Sequence, residues 1–86
     1  MKKRWVFEIE DGKLHEVTLE EDWITQRYVR LDGRVVVDDL PLSNLGKEYK
    51  FDCDGHPCRL KIGRNYLVLR RSYTLTVDGR DIAEGV

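Results

Sequence analysis

Apolar and polar residues alternate with a period of two along most of this chain. Trp5, Phe7 and Ile9 fall on one side of such a run, as do Val17 and Leu19, then Val29 and Leu31. The pattern returns in Phe51 and Cys53, in Cys58, Leu60 and Ile62, and in Tyr73, Leu75 and Val77. Residues two apart share a face of a strand, so these fifteen are the expected core. Glu8, Thr18, Arg30, Lys50, Asp52, Arg59, Lys61, Thr74 and Thr76 lie between them and are expected to face water. An antiparallel sheet with one wet face has this signature. No stretch carries a complete amphipathic helical period; a single turn fits 20–25 or 41–46.

The runs are punctuated by Asp-Gly. Asp11-Gly12, Asp32-Gly33, Asp54-Gly55 and Asp78-Gly79 recur at intervals of 21, 22 and 24 residues. Asp-Gly accepts the positive φ angles of a two-residue type I′ turn, so each pair predicts a hairpin. The two halves of the chain also resemble each other. Trp5–Ile9 matches Tyr49–Cys53, Val17-Thr18-Leu19 matches Leu60-Lys61-Ile62, and Val29–Arg34 matches Leu75–Arg80, with Val36 answering Ile82. The expectation is an all-β, antiparallel β-sandwich of about eight strands. It is one domain over 1–86, with related halves at 5–37 and 48–84 and a crossover at 38–47. Pro41 and the Ser43-Asn44 and Gly46 turn formers mark that crossover. Its three leucines suit either the open end of a sandwich or a docking loop.

Composition narrows the class of protein. Charged residues make up 36% and hydrophobic residues 41% of 86, which suits a small soluble domain. No apolar run is long enough to cross a bilayer, and Glu8 and Glu10 break the place of a signal-peptide core. The expectation is therefore cytoplasmic, with no membrane partner. A net charge of −1 argues against a nucleic-acid partner. The basic set Arg59, Lys61, Arg64, Arg70 and Arg71, near Tyr66, reads as a solvated face or a dock for an acidic protein.

Chemistry is thinly signalled. Cys53 and Cys58 flank a tight turn, where a bridge would close a short loop and stabilise little, so reduced thiols are expected. With His56 they form Cys-x-x-His-x-Cys, a metal or small-ligand alternative that falls short of four zinc ligands. Nucleophile elbows, His-Glu-x-x-His motifs and phosphate-binding glycine clusters do not occur. No catalytic residue, metal or cofactor is expected. Two apolar segments stand outside the alternation: Trp23-Ile24, and Tyr66-Leu67-Val68-Leu69 followed by Arg70-Arg71. Apolar sheet edges recruit other chains and are commonly blunted by charge. Trp23, Ile24, Tyr66, Leu67, Leu69, Arg70 and Arg71 are thus the candidate partner-binding residues, with burial in the core or in a dimer as the alternative.

The stretches Gly55–Ile62 and Tyr73–Ile82, with Trp5–Ile9, Val17–Glu20 and Val29–Gly33, resemble one lobe of the Fas apoptotic inhibitory molecule family. The resemblance covers about residues 5 to 84 and rests on strand and turn patterns. It implies a non-enzymatic antiparallel β-sandwich. The expected partners are a protein partner or misfolded clients, and the expected state is a monomer or weak homodimer. Apoptosis regulation and protection against aggregation are the roles it implies. The family protein carries two lobes and this chain one. The matching positions read as structural, so no residue-level site carries over.

Overall fold

The computed structural model describes residues 1–10, 12–21, 26–39, 47–65 and 70–85; the side chains of residues 64, 65, 70 and 71 are outside this description. The chain is all-β. Eight strands form two four-stranded antiparallel sheets, the strand complement of a β-sandwich. The first sheet has the order β1 (Lys2–Glu8), β2 (Leu14–Glu21), β3 (Arg27–Leu31), β4 (Arg34–Asp39). The second has β5 (Lys47–Cys53), β6 (His56–Asn65), β7 (Arg70–Val77), β8 (Arg80–Ile82). No helix among the described residues is long and apolar enough to cross a membrane.

Three of the four Asp-Gly pairs make the expected two-residue turns. Asp32, Asp54 and Asp78 adopt φ of 51°, 49° and 52°, and Gly33, Gly55 and Gly79 follow at 85°, 87° and 77°. Two successive positive φ angles define type I′, whose twist suits a hairpin. The first hairpin differs. Its ladder closes at Glu8↔Leu14, leaving residues 9–13 as a five-residue connection in which the Gly12 amide donates to the Ile9 carbonyl at 3.0 Å. Ile9, expected in the core, therefore lies beyond β1 and is half-buried.

The repeat is present, but its register differs from the one the letters suggest. Trp5 pairs with Val17 and Val17 with Leu31; in the second sheet Phe51 pairs with Cys58 and Cys58 with Val77. Trp5 thus answers Phe51, and Val17 answers Cys58, a shift of two residues from the sequence alignment. The longer first hairpin causes the slip. A second shift comes from a bulge. Val29 faces Val37 while Arg30 faces Val35, so Val36 is the extra residue and Val37 answers Ile82. Asp38 and Asp39, expected in the crossover, pair with Tyr28 and Arg27 and belong to β4. Leu40 to Gly46, and the possible turn at 41–46, lie outside the described residues.

Twelve of the expected core side chains are buried, with Val17, Leu19, Val29, Leu60 and Leu75 fully enclosed. Phe51, on edge strand β5, and Tyr73 are half-buried. Thr18 reverses its expectation and is buried. It sits in the central strand between Arg4 and Arg30, which pair with Glu16 and Glu20. The final residues join the first sheet. Glu84 bridges Trp5, the Gly85 amide donates to the Arg4 carbonyl, and Lys3 pairs with Glu84 at 3.1 Å. Residues 83–85 therefore belong with the first half, which ends the second at Ile82.

Candidate functional site

With the corrected register, the two histidines occupy equivalent places. Each sits one residue before the strand position facing the third hairpin, and each reaches the aspartate of that hairpin's turn. His15 donates Nδ1–H to Asp32 Oδ2 at 2.7 Å, and His56 donates to Asp78 Oδ2 at 2.6 Å. The backbone repeats the connection: the Asp32 amide donates to the Glu16 carbonyl and the Asp78 amide to the Pro57 carbonyl. Each sheet is thus stapled from its second strand to its last turn. Sequence reading singled out His56 but did not connect it to a turn aspartate. The signal lay in the pairing of each histidine with an Asp-Gly pair two strands on.

The staples differ in burial and in one hydrogen bond. His15 is buried and stacks on Phe7 with ring centroids 5.9 Å apart. His56 is partly exposed. The Glu16 amide also donates to Asp32 Oδ1 at 2.8 Å. Pro57 holds the matching position and has no N–H to give.

Burial alone would raise the Asp32 carboxyl's pKa. The Glu16 amide, the His15 hydrogen bond and charge, and Arg34 outweigh it, so the pKa is lowered. A carboxylate with a depressed folded-state pKa stabilises the fold above the ordinary carboxylate range, and this contribution disappears as pH falls through the folded value. Below about pH 4 the urea midpoint of the native chain is expected to drop faster than that of Asp32→Asn. Asparagine tolerates the same positive φ, so the comparison isolates the charge. Parallel midpoint curves for the two proteins would remove the carboxylate from the account.

Both cysteines are buried and no disulfide joins them. Burial, then the neighbouring Cys53, Asp52 and Asp78, pushes the Cys58 thiol up to about 12. Cys58 donates its S–H to the His56 carbonyl. Register places Cys53 opposite His56 and Cys58 opposite Phe51 on one side of the hairpin. Yet His56 Nδ1 is bonded to Asp78, and the three donors do not gather within coordinating reach of one another. A groove of about 210 Å³ on the second sheet is lined by residues including Lys50, Pro57, Arg59 and Thr76. It is below the usual size of a small-molecule pocket.

Trp23, Ile24, Tyr66, Leu67 and Leu69 lie outside the described residues. Arg70 and Arg71 are placed in β7 by backbone alone. Of the expected basic strip, Arg59 pairs with Glu48 at 2.8 Å and Lys61 is exposed. Comparison with protein-family models, with curated proteins and with solved structures finds no match to this chain.

Proposed function

We propose that this chain is a non-enzymatic protein-interaction module, holding a protein partner or misfolded clients in the way the Fas apoptotic inhibitory molecule resemblance implies. One observation carries the reading. Both histidines bind turn aspartates of their own sheets, and both thiols are buried. The candidate partner-binding residues remain those the sequence offers: Trp23, Ile24, Tyr66, Leu67, Leu69, Arg70 and Arg71. Reduced, buried cysteines fit a cytoplasmic setting.

Light scattering of an aggregating client protein tests the reading. Suppression is expected at near-stoichiometric amounts of the chain, and it should weaken when Leu67 or Leu69 becomes aspartate while circular dichroism stays native. Undiminished aggregation at about tenfold molar excess, a generous margin for micromolar affinity, would remove client binding. Unfolding of both variants would assign the leucines to the core and move the site elsewhere.

A further inference from the structure

We infer that β4 pairs with β4 of a second copy of this chain across a twofold axis. Among the described residues β4 has a strand neighbour on one side only, β3. It reads Arg34-Val35-Val36-Val37-Asp38-Asp39: a cation at one end, three valines, two anions at the other. Such a strand is complementary to itself when turned antiparallel. A twofold interface is isologous, so one surface must satisfy its own image, and this sequence does.

The bulge selects the register. Arg34 and Asp39 face Leu31 and Arg27 and share one side of the sheet, whereas Val35 and Asp38 face Arg30 and Tyr28 on the other. An axis between Val36 and Val37 sets Arg34 opposite the second copy's Asp39, Val35 opposite its Asp38, and Val36 opposite its Val37. Like sides meet at Arg34–Asp39 and at Val35–Asp38, as a continuous sheet requires. A slip of one residue would set Arg34 against Asp38 on the wrong side. Val35 is 50% exposed, an unusual cost for an apolar edge residue in an isolated domain. The pairing would cover it and join two four-stranded sheets into one of eight. Independent of client binding, it makes β4 an interface between copies.

Sedimentation equilibrium across a concentration series tests the pairing. The native chain is expected to dimerise with a dissociation constant of about 100 μM, weak because one strand is a small interface. Arg34→Glu sets like charges together twice and is expected to weaken dimerisation by about 30-fold or more. Arg34 is exposed, so the fold should survive, checked by circular dichroism. Amide exchange at Val35–Asp38 should slow as concentration rises. Three results would each overturn the inference: a native chain monomeric to about 1 mM, far above the expected constant; a dimer unmoved by Arg34→Glu; or exchange protection that appears elsewhere and leaves β4 unchanged.

Discussion

Trp5→Ala is expected to cost about 3–5 kcal/mol, the usual range for emptying a large aromatic site. Trp5 is 1% exposed and pairs with Val17, itself fully enclosed. The backbone of Trp5 also bridges Glu84. A chain of this length has about 4–13 kcal/mol in total, from ~0.05–0.15 kcal/mol per residue. The variant should therefore unfold at much lower urea, followed by far-ultraviolet circular dichroism since one of the two tryptophans is removed. Leu14→Ala is the control: its side chain is 68% exposed, and the change should stay within about 0.5 kcal/mol. A Trp5→Ala midpoint no lower than the control's would show that the indole's burial contributes little.

The second large effect concerns a charge pair. Glu21 and Arg27 face each other across β2 and β3, 2.8 Å apart, with side chains only 12% and 6% exposed. The equivalent pair in the second sheet is Ile62 and Tyr73. Glu21→Ala deprives a buried guanidinium of this carboxylate and is expected to cost about 3 kcal/mol. Replacing both residues by their counterparts, Glu21→Ile with Arg27→Tyr, should be neutral or stabilising, because desolvation largely cancels the attraction of a buried pair. Urea unfolding of the single and double variants separates the cases. A double variant as unstable as Glu21→Ala would mean that the ion pair gives the first sheet net stability that apolar packing cannot replace.

Face assignment was legible in the sequence because alternation with a period of two survives errors of register. The alignment of Trp5 with Tyr49 is wrong by two residues, yet it places Trp5, Phe7, Leu60 and the others on the correct side. What alternation does not encode is loop length. Asp11-Gly12 has the same letters as Asp54-Gly55 but lies in a five-residue connection, and the bulge at Val36 carries no letter pattern distinguishing it from its valine neighbours. Thr18 was misplaced because alternation does not show that it lies in a central strand with arginines opposite it on both sides. The histidine–aspartate staples were missed for the same reason. His15 and Asp32 are seventeen residues apart, and His56 and Asp78 twenty-two, so only the correct register shows them as one arrangement.

The buried cysteines give the protein an internal clock for its own breathing. A thiolate is the form that alkylating reagents attack. With the Cys58 thiol held at about 12, roughly one molecule in ten thousand carries it ionised at pH 8. Reagents therefore meet a reactive sulfur mainly when the β5–β6 hairpin lifts and water ionises the group. Under mild alkylation the rate of labelling would count openings of that hairpin, and the first sheet, which has no cysteine, would leave no trace in the signal.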